Sequence, residues 1–271
     1  MKKYKLTDET KRLWDITLYR IEALRDFDNV KAGDKGGWIE KESNLSHEGN
    51  CWVGDNARVY GDALIYGNAE VYGDAQVSGD ARVYGNAQVS GDARVYGNAQ
   101  VSGDAQVFGT AQVSKDARVS GNAEVYEDAQ VSWDAQVHGS AQVCGDARVY
   151  GNAIVSGDAQ VCNNARVFGD ARLHGNAEVY GDAQVSGKAE VVGYAQVGGD
   201  AAVSSTEDYI VFKNWWSSGR YFTWTRSNNL WRVGCFLGTG EELIRKAYED
   251  SKQSGREYKR IVKYVKEILK N

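Results

Sequence analysis

From Val53 to Val203 an apolar residue returns at every sixth position, without insertion or deletion. The run Val83-Tyr-Gly-Asn-Ala-Gln88 is representative. Position one of this hexad is Val throughout, apart from Ile65 and Leu173, and position five is Ala from Ala57 to Ala201. Position three is mostly Gly, position four mostly Asp or Asn, and position six mostly polar. A helix needs an apolar spacing near 3.6, which a period of six does not supply. Gly beside Asp or Asn in every hexad would also break a helix. A β-branched residue between polar neighbours reads as a short strand. Gly, Asp and Asn tolerate the left-handed backbone of a tight corner. Each hexad is therefore predicted to form one short strand and one corner.

Hexapeptide periodicity is the signature of a parallel β-helix. The stretch resembles the repeat of left-handed β-helices, in which three hexads make one triangular coil. Handedness and three-sidedness are what that resemblance implies. The expected fold class is all-β: a left-handed parallel β-helix with an N-terminal β cap and a small α+β C-terminal domain. Stacked at the inter-strand spacing, roughly eight coils make a prism on the order of 40 Å long. Val fills the prism, and Ala fits near the corner, where little room remains. Each buried Val contributes about 1.5–3 kcal/mol before chain entropy is subtracted. Each coil touches only its neighbours, so stability is nearly a sum of coil and interface contributions. Both end coils need caps, because they would otherwise expose unpaired strand edges and a cut core.

The flanks set the expected boundaries: a cap over residues 1–52, the β-helix over 53–204 and a further domain over 205–271. Residues 1–15 are polar and read as a short helix or loose arm, and Ile16 to Phe27 as a strand or hairpin arm. Trp38 follows a turn-rich stretch and reads as a lid on the core. The stretch from Leu24 to Val59 resembles the N-terminal cap of YdcK-like hexapeptide-repeat proteins of bacteria and phages. That resemblance implies a fold and no activity. Beyond Asp208, Tyr209–Lys213, Arg220–Arg226 and Leu230–Phe236 read as three strands. Thr239-Gly-Glu-Glu242 is a capping box opening a helix over about residues 240–253. Gly255 is expected to break it, and a second helix follows over about 256–270. Phe222-Thr-Trp224 and the run Gly234 to Leu243 resemble a tail on uncharacterised prophage repeat proteins, which implies a phage or prophage source.

Charge divides the chain. Residues 53–204 hold nine basic and nineteen acidic side chains, a net of −10, whereas residues 209–271 hold thirteen and six, a net of +7. An acidic rod thus carries a basic head, which bears on partners rather than fold. The second helix sets Lys259, Lys263, Lys266 and Lys270 away from its apolar stripe, a surface suited to an acidic partner. A protein partner is expected. Nucleic acid and a second copy of the chain are also open. Trp215 and Trp216 offer stacking platforms beside that charge, the arrangement used for single strands. The alternative is that the head's tryptophans form its small core. No apolar run is long enough to span a membrane, and the first residues lack the apolar segment of a signal peptide. The expected compartment is the cytoplasm, with Cys144 and Cys162 as free thiols.

Folded at three hexads per coil, position six places Arg58, Arg94, Arg148 and Arg166 on a first face and Arg82, Arg118 and Arg172 on a second. The third face carries Glu70, Glu124 and Glu178, with Tyr72, Phe108, Tyr126 and Tyr180 at position two. That aromatic and acidic face is either a solvated surface or a docking surface. A rod lined with Asp could alternatively mimic a phosphate backbone. Left-handed β-helices include acyltransferases, which resemble one another in using a His as general base. Here only His47, His138 and His174 are available, and none has an evident orienting partner in the sequence. Three converging histidines would be needed for a catalytic zinc site, and their spacing argues against one. The expected function is a non-catalytic scaffold or binding protein of phage type, without cofactor or metal, with a host protein as one candidate target.

Overall fold

Each rod hexad does form one short strand and one corner. The structure is a computed structural model that describes residues 2–269. Strands β1 (Tyr4–Leu13), β2 (Ile16–Ala23) and β3 (Lys35–Ile39) precede a rod running from β4 (Trp52–Val53) to β29 (Ala202–Val203). Each rod strand pairs in parallel with its counterpart one coil on, so that Val59 lies beside Val77 and Val77 beside Val95. The result is a three-sided parallel β-solenoid of about 9 turns, with sheets of 12, 9 and 8 strands.

Both inward columns, Val and Ala, are buried along the rod. The corners explain the glycines. At Gly85 φ is +76°, and a Cβ would meet the backbone N and O of Gly103 at 2.9 Å. A residue without Cβ adopts that φ and lets the next coil approach. Corner side chains also bond along the axis. Asn68 Nδ2 donates to Asn86 Oδ1 (3.1 Å), and Asn86 Nδ2 to Asp104 Oδ1 (2.9 Å).

The cap differs from expectation in two respects. Residues 4–13 form a strand, not a helix or loose arm, because β2 supplies a partner and Tyr4 packs into the core. Pairing overrides the polar local composition. Trp38 is not the lid. It pairs with Arg58, an outward position, and Arg20 lies over its ring. Ile39, beside Val59, continues the core, and Tyr4, Ile21 and Leu45 close its end.

The head is a four-stranded antiparallel sheet followed by two helices. Its strands are β30 (Tyr209–Lys213), β31 (Tyr221–Thr225), β32 (Leu230–Val233) and β33 (Phe236–Gly238). Expectation had three strands; Val233 and Phe236 instead pair across a tight turn to make the fourth. The helices α1 (Gly240–Asp250) and α2 (Lys252–Ile268) are divided at Ser251, not Gly255. Extended Ser251 ends α1 and caps α2 by accepting from the Ser254 N–H at 3.0 Å. Gly255 lies within α2, where a Cβ would sit 2.3 Å from the Tyr248 ring, so its bare backbone lets the helices approach. The head seals the last coil through hydrogen bonds from its first strand, where Tyr209 Oη donates to the Glu190 carbonyl (2.8 Å) and accepts from the Val192 N–H (3.3 Å), and from beyond it. The backbone N–H groups of Gln196 and Ala202 donate to Thr223 Oγ1 (2.8 Å) and Ser227 Oγ (2.7 Å), and Asn228 Nδ2 donates to Asp200 Oδ1 (3.0 Å).

Cys144 and Cys162 are joined in a disulfide, which corrects the expectation of free thiols. Parallel pairing one coil apart brings their Cα atoms to 4.6 Å, within the range a disulfide accepts.

Candidate functional site

Helix α2 turns its apolar residues Tyr258, Val262 and Val265 onto the head sheet, so its lysines face outward as expected. They are not all free charges. Lys263 pairs with Glu267 (3.6 Å), and Lys266 bonds to Glu241 at the start of α1. Lys259 is exposed, without a recorded carboxylate partner among the described residues. Lys270 lies outside the described residues.

The tryptophans divide between the two readings. Trp224 and Trp231 are buried in the head core, with Phe222 between strands and helices. Trp216 packs edge-on against Tyr258 at 5.0 Å, whereas Trp215 stands 74% exposed. The sheet and helices leave a cleft of about 410 Å³ lined by Asn214, Arg220, Phe236, Lys246 and Tyr258, among others. Asn214 is buried and positioned on all sides. Its Nδ2 donates to Tyr258 Oη (3.2 Å), and its Oδ1 accepts from the Ser217 N–H (3.0 Å). Burial pushes the Tyr258 phenol up from its ordinary pKa. Lys246 lies over the Phe236 ring at 5.6 Å, so a cation stands above an apolar wall. Such a cleft, apolar in part with a few fixed polar groups, has the usual makeup of a ligand site.

The third face is broken up. Phe108 and Tyr126 stack at 5.0 Å. Tyr72 and Tyr180 are apart from them, one near each end. Tyr72 lies over Gly54, and Tyr180 over Gly198, where any Cβ would meet their rings within 2.5 Å. Arg232 of the head covers the Tyr180 ring at 4.8 Å. Burial pushes both phenols up to about 12. These two tyrosines belong to the joints between rod and ends.

His47 does have orienting partners, contrary to expectation. The Lys3 backbone N–H donates to its Nδ1 (3.2 Å), which places its neutral-form proton on Nε2, 2.6 Å from Glu42 Oε1. With both nitrogens engaged, no lone pair remains to accept a proton from a substrate. Bonds from Lys2 and then His47 hold the Glu42 carboxyl below its ordinary pKa. His138 and His174 stand on uninterrupted coils. Among the described residues, no group of three or more His, Cys, Asp or Glu side chains is placed to hold a metal ion.

Sequence reasoning passed over two features. The head cleft is built from residues scattered between 214 and 258, which no local motif announces. Trp133 and Lys115 were legible, since both interrupt the glycine column at position three.

Stacked hexads with parallel pairing define the class: a repeat protein of the three-sided β-solenoid kind. Its coils match the YdcK β-solenoid repeat over residues 57–73, 75–91, 87–103, 141–157 and 159–175. A protein of Escherichia coli strain K12, named uncharacterized acetyltransferase YdcK, is 42% identical over 76 residues. That alignment covers 24% of this chain and 23% of the relative. In its repeats the chain is thus similar to the YdcK type of β-solenoid protein.

Proposed function

We propose that the protein is a non-catalytic binding scaffold of phage or prophage type, in which the head carries the specific binding and the rod sets its reach. The observation that carries this reading is the head cleft, with Arg220 and Lys246 beside an apolar wall at one end of a long acidic rod. Basic charge at the cleft favours an acidic protein surface and speeds encounter. Exposed Lys259 and Trp215 neighbour the cleft residues Tyr258 and Asn214 along the chain. Charge-reversing Arg220, Lys246 and Lys259 to Glu in the full chain should abolish capture of the partner while leaving Tm nearly unchanged. All three are exposed and outside the head core. Capture that survives these reversals would move the binding site to the rod, with Phe108 and Tyr126 as its first candidates.

A second reading, acyl transfer, is favoured by the relative's name as an acetyltransferase. It is disfavoured by the engagement of both His47 nitrogens. Turnover of acetyl-CoA that is lost in His138→Ala or His174→Ala would establish it.

A further inference from the structure

Position three of the hexad is the corner, and its backbone is left-handed. Along the edge that follows the first face, this position is Gly at 61, 79 and 97 and again at 151, 169 and 187. Between them stand Lys115 and Trp133, in adjacent coils, with φ of 61° and 63°. A bulky side chain in this conformation is strained, and such strain persists where something outside local preference favours the residue. Folding does not account for Trp133. The Val and Ala columns beneath it continue unchanged, and its side chain is 53% exposed.

Its surroundings suggest what does. Lys115 Nζ lies 3.2 Å from the ring centroid and covers one face, which holds the indole in place. Elsewhere on the rod, three outward pairs stack ring on ring one coil apart: Tyr66 on Tyr84 (4.9 Å), Phe108 on Tyr126 (5.0 Å) and Tyr150 on Phe168 (5.1 Å), whereas Tyr96, 40% exposed, faces a serine one coil on. Trp133 has no such partner among the described residues. The next coil has Gly151 at this corner, so the second indole face looks over a floor without side chain. One stacking place, about one inter-strand spacing high, is left unfilled.

The borders of that place are polar. Tyr150 stands on one side of Gly151, and Asn152 on the other, with Asp134 directly after Trp133. Asn152 Nδ2 donates to Asp170 Oδ1 (2.9 Å), which fixes the amide and leaves its carbonyl oxygen free to accept. Asp134 is exposed and has no recorded bond. A flat, apolar face with carboxylate and amide groups at its rim suits a ring that is apolar on its faces and rich in hydroxyls at its edge. The rod's net charge of −10 opposes a phosphate-bearing base. A phenylalanine ring would stack but offer the carboxylate nothing to bond, and a tyrosine or tryptophan offers a single donor where a pyranose presents several hydroxyls.

We propose that Trp133 is the platform of a saccharide-binding site on the rod, with a neutral pyranose stacked on the free indole face and its hydroxyls bonded to Asp134 and Asn152. The fixed ring lowers the ordering cost of binding. The site is separate from the head cleft and does not depend on the binding role proposed for the head.

Indole N–H resonances of the full-length protein, labelled at tryptophan, report on it directly. The probes are neutral hexasaccharides of glucose, in α- and β-linked forms, and of N-acetylglucosamine. At least one should move a single indole resonance in a saturable manner, and that resonance should be the one missing from Trp133→Gly. Trp133→Gly should bind no saccharide and melt at the same or a higher temperature, because glycine relieves the left-handed corner. Asn152→Ala should weaken binding about fivefold, as expected for one lost hydrogen bond. The proposal is overturned if no probe moves the Trp133 resonance. It is overturned equally if binding survives Trp133→Gly, or if that variant melts several degrees lower, which would make the indole structural.

Discussion

Rod and head solve the same problem, burying apolar surface with small elements, in opposite ways. The rod uses two side-chain types and a fixed register. Val and Ala lie in columns, and each strand finds its partner one coil away. The head uses few but large side chains, Phe222, Trp224, Trp231 and Tyr258, drawn from two strands and one helix. Tolerance should differ accordingly. A glycine corner such as Gly85 stacks on the backbone of the next coil and leaves little room for a Cβ, yet the coils are nearly interchangeable. The head has slack at its loops but no spare elements.

Corner substitution tests this contrast most severely. Gly85→Val should destabilise by about 2–4 kcal/mol, through the left-handed φ and the contact with Gly103. Gly219→Ala in the head has φ of +68° but nothing within 4 Å of its added Cβ. It should cost only about 1 kcal/mol. Urea midpoints of both variants give the comparison, and equal losses would refute the claim that stacking makes the rod corner rigid.

Next in size is the disulfide. It closes a loop with a sequence separation of 18. Reduction should therefore lower stability by up to about 3 kcal/mol. Melting with and without dithiothreitol measures it. The loss should fall on the rod transition and leave near-ultraviolet signals of the head tryptophans unchanged until the rod melts.

Alkaline pH probes the joints. Tyr72 and Tyr180 hold their protons to about 12 in the folded chain, against an ordinary value of 10.0. Above that ordinary value the unfolded chain loses the proton first, so stability falls as pH rises from about 10 through the folded pKa. Below pH 10 the contribution is intact. Tyr180→Phe should flatten the alkaline slope at little cost near neutrality, because Tyr180 Oη has no hydrogen-bond partner among the described residues. An unaltered slope in Tyr180→Phe would show that the head does not seal this phenol.

The smallest effect should come from the largest cut. Deleting residues 83–100, one whole coil, restores every pairing and should leave a folded protein that melts only slightly lower. Deleting 83–94 keeps local stacking but turns the downstream faces by a third of a turn, so it should change the bearing of the head relative to the cap. Circular dichroism follows the first and small-angle scattering the second. An unfolded 83–100 deletion would contradict the interchangeability of coils.

Much of this protein is readable without coordinates. An uninterrupted six-residue period determined strand length, corner chemistry, the buried columns and the sorting of Arg, Glu and aromatic residues among faces, because each coil meets only its neighbours. Lys115 and Trp133 were legible in the same pattern as departures from glycine, though the sequence reading passed over them. Tertiary structure decided what depends on distant partners. Polar residues 4–13 became a strand because β2 was there to pair with them. Ser251 rather than Gly255 divided the helices, since Gly255 was needed beneath Tyr248. The head cleft and the His47–Glu42 pair needed three dimensions for the same reason: their residues meet only after the chain has folded back, and no local period records that meeting.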